Sequence, residues 1–241
     1  MTGSRLNVPL ALRRIAQGFW FDFAPIVTLG FGMVTLPGII GALVPPASSG
    51  GTVMAVVSGL LAALFVTIVS HGVVARLAGK PLDAGAFVSQ GIVASPPGFS
   101  VALLIGAFTV LIAIIGLLGA LAWPPARTIA IATGAVLVLM LLPAMPAALA
   151  ERLPPLVALQ RGLEMTRGAR SAIVVIALIA IFTFGPTWLL LEALVRNIEP
   201  GAAPSFASPG LWLRALYALI ASSVAAVVPG VIYVGLLEPR R

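Results

Sequence analysis

The 241-residue chain carries one histidine, seven acidic and fourteen basic side chains, and no cysteine. These few groups bound its chemistry. Without cysteine there is no disulfide, no thiolate nucleophile and no Cys-based metal site. His71 ends the stretch "TIVSHG", and a proton relay or metal site there would need partners that a single histidine lacks. A hydrogen bond to a neighbouring helix, or a place at the headgroup level, is the better reading. Glu151 and Arg152 are adjacent; they form either a buried pair that fixes one helix to another or a solvated pair at a membrane surface. Glu192 and Arg196 are spaced i, i+4 with the acid first, a favourable helix pair. Asp22 in "FWFDFAP" can cap a helix that has Pro25 in its first turn. No Gly-rich phosphate loop, zinc-binding pattern or nucleophile elbow occurs. The sequence therefore predicts no catalytic residue, no cofactor and no metal.

Only 9 % of the chain is charged, yet "ERLPPLVALQRGLEMTRGAR" (151–170) holds two Glu and four Arg. Pro is tolerated in a first helical turn, where its missing N–H was unpaired anyway. From Pro155 onward Leu156, Leu159 and Leu163 fall within an arc of about 60°, with Arg161 nearly opposite. Such a helix lies in the membrane interface, leucines down and arginine toward water. Arg161, Glu164, Arg167 and Arg170 recur every third residue, close enough for partial pairing. Gly168 lets the chain turn upward afterwards. The charge is dense because this segment is an elbow that cannot enter the bilayer.

The elements that must hold these groups are membrane spans. Hydrophobic residues make up 60 % of the chain and the mean hydropathy is +1.14, far outside the soluble range. Six runs lack Asp, Glu, Lys and Arg: 23–44, 50–75, 99–123, 128–150, 171–191 and 215–237. Each is long enough to cross a hydrocarbon core of about 30 Å as a helix, and none alternates as a barrel strand would. The first run is longer than the apolar part of a signal peptide, and no small-x-small cleavage site follows before "PPASSGG". The expected architecture is all-α: a single integral membrane domain over 1–241, a polytopic bundle of six transmembrane helices with three cytoplasmic interfacial elbow helices.

Pro37, Pro143, Pro146, Pro186 and Pro229 interrupt the spans. Such breaks either expose carbonyls to an ion or substrate, or simply kink helices so that they fit. No charged residue sits deep within a span, where one would cost at least about 2.5 kcal/mol, so ion-coupled transport is disfavoured. Small-residue spacings such as Ser58/Ala62 and Ala102/Gly106 suit close helix contact. Trp20, with Phe19, Phe21, Phe23 and Asp22, reads as one membrane-interface belt; Trp123, Trp188 and Trp212 read as the other.

With the N-terminus inside, the cytoplasmic side receives eleven basic residues: Arg5, Arg13, Arg14, Arg76, Lys80, Arg152, Arg161, Arg167, Arg170, Arg240 and Arg241. The other face receives three, Arg127, Arg196 and Arg214. The connections are short, so this asymmetry orients the chain with both termini cytoplasmic. It also explains the +7 charge without nucleic acid. The basic rim would attract anionic lipid headgroups at about 1 kcal/mol per residue.

Three stretches begin with Pro-Leu before odd-numbered spans: "PLALRRIAQGFW" from Pro9, "PLDAGAFVSQGI" from Pro81 and "PLVALQRGLEMT" from Pro155. Their spacings are 72 and 74 residues, and "VALLIGAF" (101–108) parallels "VIALIAIF" (175–182). This predicts a three-fold internal repeat of about 73 residues, with units 9–75, 81–150 and 155–237, each an elbow and two spans.

The stretch "PAMPAALAERLPPLVALQRGLEMTRGARSAIVVIAL" (143–178) resembles bacterial inner-membrane proteins named after the membrane domain of glycerophosphoryl diester phosphodiesterases. "HGVVARLAGKPLDAGAFVSQGI" (71–92) looks like an earlier loop of that family, and "VVPGVIYVGL" (227–236) like its ending. Gly162 departs from the pattern, which has a small hydroxyl residue there, and "YVGLLEPRR" lacks the basic and acidic run that follows the Tyr. The resemblance implies the membrane part alone in the bacterial inner membrane, with a structural role for Glu151. The family's catalytic barrel would need a carboxylate metal site and two histidines. The expectation is a non-enzymatic scaffold or accessory subunit that packs against membrane proteins or lipids. Two alternatives stand beside it: a transporter or channel for a lipid-like or small amphipathic solute, and a membrane partner of a lipid-headgroup phosphodiesterase.

Overall fold

The computed structural model describes residues 6–45, 47–200 and 204–238; Arg5, Arg240 and Arg241, counted above for orientation, lie outside them. Helix α1 (Val8–Phe21) starts where the Asn7 side chain accepts the Leu10 N–H at 3.1 Å, with Pro9 in the first turn. The first crossing is α2 (Phe23–Gly30), a π-helical segment at Phe31–Thr35 and α3 (Leu36–Leu43). Helix α4 (Ser49–Leu77) is capped by Ser48, and α5 (Ala84–Ala122) by Asp83. Then follow α6 (Ala126–Leu141), α7 (Ala144–Glu151), α8 (Pro155–Thr166), α9 (Arg170–Ile198) and α10 (Pro209–Leu237). There is no strand among the described residues.

Six stretches are long and apolar enough to cross a membrane: Phe23–Leu43, Ser49–Leu77, Ala84–Leu121, Ala126–Glu151, Arg170–Ile198 and Pro209–Leu237. The chain is a multi-pass, all-helical membrane protein. An even number of crossings places α1, the α4–α5 turn, the α7–α8–α9 turns and the end of α10 on one face, called the elbow face below.

The prolines act in two ways. Pro37 follows closely on the π-helical segment, and Pro143 and Pro146 lie at the join of α6 and α7, so these three sit where the helical hydrogen-bond pattern of a crossing changes. Pro186 and Pro229 lie inside α9 and α10, and α5 contains the pair Pro96–Pro97. Separate short helices occupy the first and third elbow positions, α1 and α8. The middle position differs: residues after Pro81 run from Ala84 directly into the third crossing as one helix of 39 residues. At 1.5 Å per residue that helix is about 58 Å long. The double proline does not end it, and the Ser95 hydroxyl donates to the Ile92 carbonyl at 2.8 Å, the acceptor that the missing Pro96 N–H leaves free.

The main core is built around α10, of whose apolar window 56 % is buried, against 11 % for α9. Ile26, Phe65, Ile68, Val69, Val73, Phe87, Val227, Val231 and Ile232 fill it. Close approach depends on small residues: a Cβ at Gly72 would come within 2.0 Å of the Phe87 ring. A second cluster ties α5, α6, α7 and α8 together through Val101, Leu141, Ala144, Met145, Ala148, Ala158 and Leu159. Beyond it, α5 and α6 continue as a two-helix arm. Among the described residues of 106–136 only Gly116 and Gly134 are buried.

Candidate functional site

The charged groups of the elbow face are held by contacts between elements distant in sequence. Asp22 is buried at 3 % exposure. It makes no cap to α2 with its side chain, contrary to the sequence expectation. Its carboxylate instead takes the Arg76 guanidinium in two hydrogen bonds, one of them 2.6 Å from Nε, and Arg76 also lies 5.5 Å from the Phe21 ring centroid. A buried carboxylate needs a full positive partner, which one backbone N–H cannot supply. Arg14 grips Glu238 with two bonds of 2.9 and 2.7 Å, tying α1 to the end of α10.

Glu151 resolves its two readings in a third way. It does not pair with Arg152. The Tyr233 hydroxyl on α10 donates to Oε1 at 3.1 Å, and Arg161 Nε on α8 lies 3.3 Å from Oε2. That Nε is not aligned for a hydrogen bond, so the Arg161 contact is an ion pair of partial quality. Glu151 thus joins α7, α8 and α10. The elbow α8 buries Ala158, Leu159, Gly162 and Thr166, while Leu156 and Leu163 stay exposed. Gly162 is required there, since a Cβ would meet Ala144 Cβ at 2.7 Å. The expected ladder along α8 does not form: Glu164 accepts from Gln160 at 3.3 Å, and the described residues show no ion pair for Glu164, Arg167 or Arg170. Helix α8 ends at Thr166, so Arg167 and Arg170 lie beyond its register, and Arg161 turns to Glu151 instead; exposed pairs of this kind gain little in any case.

On the opposite face the expected Glu192–Arg196 pair is replaced by a clasp between helices. Arg214 of α10 holds Glu192 of α9 through bonds of 2.8 and 2.9 Å. The two-pronged geometry of a guanidinium on a carboxylate outcompetes a one-turn pair on the same helix. The tryptophans are exposed: Trp20 stacks on Phe23 at 5.7 Å, Trp188 packs on Tyr217 at 5.2 Å, and Trp212 Nε1 donates to the Phe206 carbonyl at 2.9 Å. Trp123 is 56 % exposed at the end of α5.

What remains unengaged gathers in one place. A cavity of about 550 Å³ lies at the elbow face between α4, α5 and the end of α7. Its polar lining is His71, Ser89, Gln90 and Arg152, and its apolar walls include Val93, Leu149 and the Pro96–Pro97 pair. None of the four polar side chains has a hydrogen-bond or ion-pair partner among the described residues. No carboxylate lines the cavity. His71 therefore bonds to no neighbouring helix, one of the alternatives its position allowed. Ser89, Gln90 and the double proline were not singled out by the sequence, because nothing local distinguishes them from other residues of an apolar helix.

Arg152 carries a backbone anomaly. It ends α7 in the left-handed conformation, φ 52° and ψ 42°, the one non-glycine positive φ among the described residues. An L-residue there costs about 1–2 kcal/mol, and glycine would cost nothing. Leu153 precedes Pro154 and so cannot continue a helix; the chain must reverse within one residue, and Arg152 absorbs the turn. That turn aims Arg152 away from Glu151 and into the cavity. The arrangement can hold an anion by charge and hydrogen bonding. Among the described residues no group of acids and histidines could hold a metal. No family model, curated protein or solved structure matches the chain.

Proposed function

We propose that the protein is a non-enzymatic scaffold or accessory subunit of the bacterial inner membrane, with the elbow face and both termini in the cytoplasm. The observation that carries this reading is the contrast between a clasped base and the exposed α5–α6 arm. Leu111, Ile115 and Leu118 fall on one stripe of α5 and are 52 %, 60 % and 61 % exposed. A rigid base with a free apolar hairpin suits lateral packing against another membrane protein or a lipid annulus, where van der Waals fit rather than water exclusion drives association. An enzyme acting on lipid headgroups is among the partners this reading admits. The three-fold repeat belongs to the same proposal, with the middle unit's elbow fused into its span. Transport of a lipid-like solute is the second reading, favoured by the cavity beside the Pro96–Pro97 bend.

The test is extraction of the full chain in native-membrane nanodiscs, followed by identification of what accompanies it. The scaffold reading expects one protein at fixed stoichiometry, lost when Leu111, Ile115 and Leu118 are replaced together by Ala although the bundle keeps its melting temperature. Recovery of no such protein, or equal recovery by the triple variant, sinks it.

A further inference from the structure

We propose that the cavity between α4, α5 and α7 is a binding site for a phosphate-bearing anion, supplied by the headgroup of an anionic lipid in the adjacent leaflet. This inference does not rest on the scaffold reading. Four observations converge on it. Arg152, His71, Gln90 and Ser89 face one space and are bonded to nothing else among the described residues. Ser89, Gln90 and Arg152 are exposed and His71 is half-buried, so their donors are open to a ligand and need not first break a contact within the protein. The nearest acid in the chain, Glu151, is committed to Arg161 and Tyr233, so nothing in the lining opposes a negative charge or would attract an ammonium group. The guanidinium supplies the planar donor pair that suits phosphate oxygens.

The second point is depth. His71 lies six residues before the end of α4 at Leu77, and Gln90 six residues after the start of α5 at Ala84. At 1.5 Å per residue each sits about 9 Å along its helix from the elbow-face end, and both line the cavity. That level is reachable from the leaflet as well as from water.

The third point is shape. About 550 Å³ exceeds a phosphate ion and falls in the range of small-molecule sites. Val93, which is 82 % exposed, and Leu149 give the space an apolar side. A headgroup with its glycerol backbone fills both the polar and the apolar parts; a free ion fills only one.

The fourth is Arg152 itself. The turn needs a left-handed residue, for which glycine is the natural occupant. The chain places an arginine there at a conformational cost and uses its side chain for no hydrogen bond or ion pair within the described residues. A binding role accounts for both facts at once.

The experiment titrates the detergent-purified full chain with phosphatidylglycerol, phosphatidylcholine and inorganic phosphate, read by native mass spectrometry and thermal melting. The expected result is one retained phosphatidylglycerol, preferred over phosphatidylcholine by about tenfold or more, the scale of a charge-assisted contact. Arg152→Gly relieves the backbone and removes the guanidinium, so it should melt no lower than the native chain while losing that preference. Gln90→Leu, at an exposed helical position, should weaken retention several-fold. Arg167→Gln and Arg170→Gln lie outside the cavity and should leave retention unchanged. Equal retention by Arg152→Gly and native protein overturns the site. So does an equal loss in the Arg167 and Arg170 variants, which would show a diffuse basic rim. Inorganic phosphate bound as tightly as the lipid, with the same sensitivity to Arg152→Gly, supports the anion site and overturns its assignment to a lipid.

Discussion

The base at the elbow face and the α5–α6 arm are both apolar helical structure, yet they are held by different physics. In the base, α10 is packed against α1, α2, α4 and α7, and its elbow-face end is fastened by carboxylate clasps to guanidinium or phenol. In the arm, two helices touch along a seam of small residues: a Cβ on Gly116 would come within 2.1 Å of Ala130 Cβ, and one on Gly119 within 3.1 Å of Ala126 Cβ. The difference teaches where polar contacts matter in a membrane protein. Ionic clasps sit at helix ends, where water and headgroups lower the cost of charge, and backbone proximity alone holds the middle.

The largest break in this comparison is expected at Asp22. Asp22→Ala leaves Arg76 without its partner and should lower stability by about 3 kcal/mol, whereas the double variant Asp22→Ala/Arg76→Leu recovers most of the loss. Thermal unfolding in nanodiscs measures both; a single variant as stable as the native chain would remove the clasp from the account. Gly72→Val should cost about 2 kcal/mol by driving a side chain into the buried Phe87 ring.

Its counterpart in the arm, Gly116→Val, should leave the melting of the base unchanged and splay the hairpin instead. The cysteine-free chain makes this measurable. Gly119→Cys with Ala126→Cys should cross-link readily on oxidation, because their Cβ atoms are close. Adding Gly116→Val should suppress the cross-link, and an undiminished yield would mean the seam does not hold the arm.

Smaller effects separate the acids of the elbow. Glu151→Gln keeps an acceptor for Tyr233 but loses the charge facing Arg161, at about 1 kcal/mol; Glu164→Gln should cost at most a few tenths. A chemical melt that ranks Glu164 above Glu151 would contradict the geometry. Arg14→Gln should fall between these two. Its partner Glu238 has a side chain 44 % exposed, so the loss stays under about 1 kcal/mol and shrinks further in high salt.

Much of the architecture was readable from the chain itself. Six long uncharged runs dictate six crossings, because the bilayer punishes each unpaired backbone group and each buried charge locally, residue by residue. The same local logic places α1 and α8 as short helices before their spans. It fails after Pro81, where Ala84–Ala122 runs as one helix through Pro96 and Pro97, with the Ser95 hydroxyl on the carbonyl that Pro96 leaves free, a contact invisible to a rule about proline alone.

The partners of the charged residues could not be read. Glu192 stands one turn from Arg196 in sequence but bonds to Arg214 on another helix, and Asp22 reaches Arg76, 54 positions away. Arg14 and Glu238 are 224 apart. His71 and Arg152 carried no signal of a shared site until the α7 turn brought them to one cavity. Hydropathy is a sum over neighbours along the chain, so the sequence determined how often this protein crosses the membrane. Which side chains meet depends on helix rotation, crossing and close approach at glycines such as Gly72 and Gly162, and these were decided only when the helices packed.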